Sequence, residues 1–163
     1  MAPGEFEGRI REEIRAAGIA GSNFVREPLS LRKVAALVSR AKAYVGVDTV
    51  VTHIAAALGR PTVAVYGPTP PWRWGPWPNG LPVCTPYAHR GGVQRKGNIV
   101  IVQKDWECAA CDRMGCDHTR ESFSRCLLEL TPQEVLGPFC TLLEGVTSSE
   151  EGGRGSAGTA HHP

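Results

Sequence analysis

Two runs, Ala43-Tyr44-Val45-Gly46-Val47 and Thr62-Val63-Ala64-Val65-Tyr66, constrain this chain more than anything else in it. Both are almost continuously apolar and rich in β-branched residues, the pattern of strands buried on both faces of a parallel sheet. Between them, His53 to Leu58 reads as a short helix with Gly59 as its C-cap. Strand, helix and strand in immediate succession predict an α/β fold built on a Rossmann-like parallel sheet.

The flanking segments continue the alternation. Phe6, Ile10 and Ile14 recur every fourth residue within Glu5 to Ala17, which predicts an amphipathic helix almost at the start of the chain. Such a helix normally follows a buried strand; none precedes it here, so the chain is expected to be N-terminally truncated. Phe24-Val25 is a short strand candidate ended by Pro28, and Ser30 is the expected N-cap of a helix carrying Leu31, Val34, Ala35, Val38 and Ala41 on one face. Asn98 to Gln103 reads as a further strand. Six prolines and three tryptophans between Pro68 and Pro82 predict a long irregular loop beyond the second strand. Thr131-Pro132-Gln133-Glu134 is a capping box opening a last helix with Val135, Leu136, Phe139, Leu142 and Leu143 on one side, which Gly137-Pro138 should kink or interrupt. Residues 1–105 are thus expected to hold the Rossmann-like region. Residues 106–146 hold a cysteine-rich loop and C-terminal helix of the same domain, and 147–163 a disordered tail.

Composition narrows the function classes. With 163 residues, 42% hydrophobic and 21% charged, the chain has enough apolar material for one packed domain. No apolar run reaches the ~18 residues of a membrane span, and Met1-Ala-Pro-Gly-Glu has neither basic nor apolar leader character. A cytoplasmic protein without a transmembrane segment is expected. A formal charge of +2 with scattered basic residues gives no reason to expect nucleic acid as a partner.

The first run delivers Asp48-Thr49-Val50-Val51-Thr52-His53 onto the start of the short helix. Helix N-terminal amides, a hydroxyl and an imidazole around one point suit a diphosphate, while Asp48, which would repel phosphate, suits sugar hydroxyls. The competing reading is that Asp48 and Thr52 only cap the helix and His53 is a packed surface histidine.

A second constellation is Cys108-x2-Cys111-x4-Cys116-x9-Cys126, with Asp117 and His118 inside it. The first pair has the spacing of half a tetrahedral thiolate zinc site. Structural reduced thiols and redox chemistry are the other readings. Cys84 and Cys140 are expected to be packed as small apolar residues. Trp72, Trp74 and Trp77 with Arg73 suit stacking on a sugar or base, packing beneath their loop, or an interface with another domain.

The stretch Leu29-Ser30-Leu31, Val45-Gly46-Val47-Asp48-Thr49, Thr52-His53-Ile54-Ala55-Ala56-Ala57-Leu58-Gly59, Pro61-Thr62 and Tyr66-Gly67-Pro68-Thr69 resembles glycosyltransferase family 9. These are the ADP-heptose:lipopolysaccharide heptosyltransferases and their relatives, and the likeness is to their C-terminal, nucleotide-sugar-binding half. It covers roughly residues 4 to 145. The family pattern is Asp-Thr-Gly with a histidine three residues later, matched by Asp48, Thr49 and His53 but with Val50 in place of glycine. The resemblance implies that Asp48 holds the donor sugar, that Thr49 and the adjoining amides, Val50 included, hold its diphosphate, and that His53 sits against the phosphates. It further implies Glu5 as a ribose ligand, although Glu5 also suits a helix first turn, and Leu29 against the base. It implies the C-terminal half of a GT-B enzyme using an ADP-sugar, needing no cofactor for transfer, with possible zinc only at the cysteines. The acceptor, a lipopolysaccharide core, and the catalytic base would belong to a separate N-terminal domain, so no catalytic residue is assigned here. Action at the inner face of the cytoplasmic membrane would follow. The alternative is a non-catalytic module or fragment whose role lies in a thiolate metal site at Cys108–Cys126.

Overall fold

The computed structural model describes residues 5–18, 23, 25, 27–82, 87–119 and 122–152. The chain divides into two compact units, residues 1–31 and 32–163. In the first, α1 (Glu5–Ala16) is the amphipathic helix its spacing predicts, followed by Gly18 at φ 62, a left-handed conformation that favours glycine. The predicted strand at Phe24-Val25 falls partly outside the described residues, and Val25 lies in no regular element.

α2 (Leu31–Val38) begins at the boundary and buries Val38, with Val34 and Ala35 half-buried. β1 (Tyr44–Val47), α3 (Val50–Ala57) and β2 (Thr62–Val65) follow as the sequence predicts. The four-stranded sheet has the order β1-β2-β4-β3, with β3 at Val93–Lys96 and β4 at Ile99–Val102. β1 pairs parallel with β2 and β2 with β4, whereas β3 runs antiparallel to β4. The sheet is therefore mostly, not wholly, parallel. β3 was not foreseen because only Val93 in Val-Gln-Arg-Lys is apolar, and an edge strand is commonly guarded by charge. Gly97, at φ 54, supplies the positive φ that the two-residue hairpin between β3 and β4 needs.

The core lies on both faces of β2 and β4. Ile99 and Ile101 of β4 join Ala56, Ala64, Tyr66 and Tyr87 on one face. Val63, Val100 and Val102 join Leu142 on the other, with Leu130, Val135 and Phe139 packed against them. β1 differs from its predicted double burial: among the described residues it is an edge of the sheet, and Val45 and Val47 are exposed. Gly46 has a definite reason to be glycine. Tyr44, two residues away on the same strand face, lies over it, and a Cβ at position 46 would collide with the Tyr44 ring. The Tyr44 hydroxyl is then hydrogen-bonded with Thr52 Oγ1 at 3.2 Å, tying β1 to α3.

Four other expectations need correction. The proline-rich segment is not irregular throughout: α4 (Pro71–Trp74) is one helical turn started by Pro71, whose fixed φ and missing N–H suit a first helical position. α6 (Pro132–Gly152) runs through Pro138 without interruption, losing only the one bond Pro138 would donate. It also extends past Thr147, where a tail was expected to begin, since each added residue gains a backbone bond without a new nucleation step; residues 153–163 lie outside the described residues. Cys140, on α6, is exposed rather than packed, and Cys84 lies outside the described residues. The capping box is present, with the Thr131 amide donating to Glu134 Oε2 at 2.7 Å and Lys104 Nζ donating to Glu134 Oε1 at 2.7 Å. Among the described residues no helix is long and apolar enough to cross a membrane.

Candidate functional site

Parallel strands deliver their carboxyl ends to one edge of the sheet, where open α/β folds place ligands. β1 stops at Val47, and Asp48-Thr49 turn the chain into α3. Thr52 Oγ1 donates to the Val47 carbonyl, which fixes the turn from inside the helix. Thr49 occupies the N-cap position in extended conformation but makes no side-chain cap bond. Its hydroxyl is thus left over, together with the amides of Val50 and Val51, which have no intrahelical acceptor. The Val50 side chain points to solvent, 53% exposed, so it does not pack beneath the helix.

Asp48 does not cap α3. Its Oδ1 accepts a hydrogen bond from Tyr66 Oη at 3.2 Å, and His53 Nε2 lies 3.9 Å from the same oxygen. Asp48 and His53 retain 29% and 46% of their side-chain exposure, so both remain open to a ligand. Tyr66 is fully buried at the end of β2, and its hydroxyl also lies 2.9 Å from the Trp74 carbonyl at the close of α4. Burial, and then the adjacent Asp48 carboxylate, pushes the Tyr66 phenol well above its ordinary value, so it stays protonated and keeps donating. Tyr66 was not singled out as a site residue by sequence. Its one signal was its place at a strand's carboxyl end, just before Gly67-Pro68.

The structure therefore gathers Asp48, Thr49, Val50 and His53 at one point and adds Tyr66. Glu5 and Leu29 belong to the unit of residues 1–31. Glu5 opens α1, and Leu29 is half-buried ahead of α2.

The proline-rich loop borders this edge of the sheet. Trp72 stacks on His89 with ring centroids 4.4 Å apart, and the Arg73 guanidinium lies over the Trp74 ring at 5.0 Å. Gln103, buried after β4, donates through Nε2 to the Gly67 carbonyl at 2.7 Å and so pins the start of the loop. Arg73 reaches Asp112 at 3.6 Å, which ties α4 to the cysteine loop.

Cys108, Cys111 and Cys116 are exposed, Cys126 is buried at the start of α5 (Arg125–Leu128), and all four are free thiols. Burial, and then Cys111 and Cys116, pushes the Cys126 thiol up. Among the described residues no group of three or more His, Cys, Asp or Glu side chains is gathered closely enough to hold a metal ion as it stands.

The sequence profile of Glycosyltransferase family 9 (heptosyltransferase) matches residues 6–96. Lipopolysaccharide heptosyltransferase 1 of Salmonella typhimurium is 40% identical over 83 residues, covering 48% of this chain and 26% of that protein. Lipopolysaccharide heptosyltransferase 1 of Escherichia coli K12 is 41% identical over 80 residues, 47% of this chain and 25% of that protein. The protein of the same name from Pseudomonas aeruginosa is 31% identical over 133 residues, 82% of this chain and 32% of that protein. The chain thus spans between a quarter and a third of the length of these relatives. No solved structure matches it significantly.

Proposed function

Because the chain belongs to glycosyltransferase family 9, the heptosyltransferase family, we propose that it is the donor-binding part of a lipopolysaccharide heptosyltransferase-like enzyme. The donor is an ADP-sugar of the ADP-heptose kind. The observation that carries this reading is the convergence of Asp48, Tyr66, His53 and the unbonded amides of α3 at the carboxyl end of β1.

The site divides the donor in two. The diphosphate lies against the N-terminus of α3, where the Val50 and Val51 amides and the Thr49 hydroxyl donate and the helix dipole favours negative charge. His53, one turn into the helix, adds an N–H donor. Asp48 would repel phosphate and faces the sugar, whose hydroxyls donate to its free carboxylate oxygen. The Tyr66 phenol acts as a positioning group, holding Oδ1 so that Oδ2 remains for the ligand. Val50, where the resemblance expects glycine, still offers its amide, but its branched side chain narrows the approach of the phosphates.

On this reading the chain corresponds to the C-terminal half of a GT-B architecture. The lipopolysaccharide core acceptor and the general base that activates its hydroxyl are supplied by a separate N-terminal domain, because a base must lie within hydrogen-bond reach of the reacting hydroxyl. The sugar is then transferred at the inner face of the cytoplasmic membrane. For Glu5 a ribose-binding role and for Leu29 a place against the base are proposed, as the family resemblance implies.

Calorimetric titration of ADP and of an ADP-sugar into the chain and its Asp48→Ala variant tests the proposal. The sugar conjugate should bind more tightly than ADP, and Asp48→Ala should remove that preference, at about 1–3 kcal/mol, while leaving ADP affinity nearly unchanged. A folded variant that keeps the wild-type preference for the sugar conjugate would place the sugar elsewhere.

A further inference from the structure

The thiols of Cys108, Cys111, Cys116 and Cys126 play no part in the donor site, yet all four line one cavity of about 30 Å³ above Pro68 and Trp106. We infer that this cavity is a binding site for a single thiophilic cation of the zinc class, held by the four cysteine sulfurs. Its volume is about that of one water molecule in the liquid, which suits an ion and nothing larger.

The donor set favours a soft metal. No disulfide engages any of the four sulfurs. No Asp, Glu or His among the described residues lines this cavity; within the loop Asp112 pairs with Arg73, Asp117 accepts from Ser122 Oγ at 3.0 Å, and His118 Nε2 lies 2.6 Å from the Arg113 guanidinium. That leaves sulfur as the available ligand type, and a sulfur-only set selects zinc or a comparably soft ion over magnesium or calcium. One sulfur already has an outer contact of the sort that steadies a metal-bound thiolate, since Cys116 Sγ accepts the Arg125 backbone N–H at 3.4 Å.

The backbone of the loop gives a second, independent reason. Ala110, Asp112 and His118, at φ 58, 55 and 62, are the non-glycine residues with left-handed backbone among those described, and all three lie here. Each such conformation costs roughly 1–2 kcal/mol and persists only where the surroundings enforce it. Packing does not enforce it, for between Asp105 and Glu129 only Ala109 and Cys126 are buried among the described residues. A segment with so little core is held in place by a covalent or metal staple. Ala110, between Cys108 and Cys111, turns the chain at φ 58, and both cysteines line the cavity.

As they stand, the sulfurs are not within bonding distance of one point. Closing on a cation at the usual ~2.3 Å asks for χ1 rotation of Cys108, Cys111 and Cys116, which are exposed and unopposed by core packing, about a fixed Cys126. Each thiol releases its proton to solvent as its sulfur binds, so uptake is accompanied by proton release and weakens at low pH.

The test uses the full chain, purified under reducing conditions, stripped with chelator and titrated with Co2+ as an optical stand-in for zinc. The expected result is one equivalent of cobalt per chain with thiolate-to-cobalt charge-transfer absorption, displaced stoichiometrically by zinc. Cys140→Ser, which alters an exposed thiol outside the cavity, should keep both stoichiometry and absorption. The pair Cys111→Ser and Cys126→Ser together should abolish the absorption. The charge-transfer band separates this site from binding at His161-His162, which has no sulfur. A reduced chain that is folded by circular dichroism but shows no thiolate-to-cobalt band overturns the inference, as does an undiminished band in the doubly substituted chain.

Discussion

Replacing Tyr66 by phenylalanine removes one oxygen from a fully buried residue and should disturb two loops at once. The hydroxyl lies 3.2 Å from Asp48 Oδ1 and 2.9 Å from the Trp74 carbonyl. Its single proton is shared between them, so the net loss is that of one hydrogen bond plus the penalty of an acceptor left short, together about 1–2 kcal/mol. For a chain of this size that is a fall in Tm of roughly 2–4 °C per kcal/mol. The substitution should also weaken ADP-sugar binding by up to about tenfold, because Asp48 is no longer held, but leave ADP alone nearly unaffected. An alkaline signature should accompany both effects. The folded-state value of Tyr66 is raised above that of the unfolded chain, so its contribution to stability is complete below pH ~10 and is lost as pH rises further. Buried Tyr87, raised by burial, behaves likewise. Tyr66→Phe should therefore lose stability less steeply than wild type above pH ~10 while starting lower at pH 7. Thermal denaturation across pH and calorimetry of the same samples supply all the readings. An unchanged preference for the sugar conjugate, with the Tm fall still present, would refute the link from Tyr66 to Asp48.

Other substitutions probe separate parts of the molecule. Glu134 is held down to about 2 by its bond from Lys104 and by Thr131, so stability it provides is present above the ordinary carboxylate range and lost as pH falls from about 4.5 towards 2; Glu134→Gln should flatten that acid limb in urea denaturation. Gly46→Ala forces a Cβ against the Tyr44 ring and should cost about 1–3 kcal/mol by chemical denaturation, with Tyr44→Ala in the same chain restoring part of it. Val50→Gly opens the approach to the α3 amides. ADP affinity should rise several-fold at a helix-propensity cost of about 0.5 kcal/mol, and weaker ADP binding would contradict the proposed role of that position.

The elements legible in the sequence were those whose burial is symmetric or whose ends carry local chemistry. β2 and β4 are buried on both faces and read as apolar runs; the Thr131 capping box is a local contact, readable from four residues. β3 escaped because pairing with β4 buries little of it, so its residues show neither alternation nor apolarity. β1 was read as doubly buried because its composition matches its neighbour's; position at the sheet's edge is a tertiary fact that composition does not carry. At the site, Asp48, Thr49 and His53 are close in sequence and so were found together, whereas Tyr66 meets Asp48 only once two strands lie side by side. The capping alternative for Asp48 and Thr52 lost for a similar reason: each side chain found a stronger partner, Tyr66 for one and the Val47 carbonyl for the other.

The bond from Tyr66 to the Trp74 carbonyl has an optical consequence. Trp74 carries a guanidinium above its ring, and two residues earlier Trp72 is stacked on His89. Indole emission from this loop is therefore sensitive to any shift of the phenol that holds Asp48. On the proposed reading, a sugar bound at Asp48 Oδ2 would perturb the Tyr66 phenol and through it the environment of Trp74, making this loop a fluorescent reporter of donor occupancy. The coupling runs in both directions: a molecule that restrained the tryptophan loop would change donor affinity by the same factor by which the donor changes the affinity of the loop.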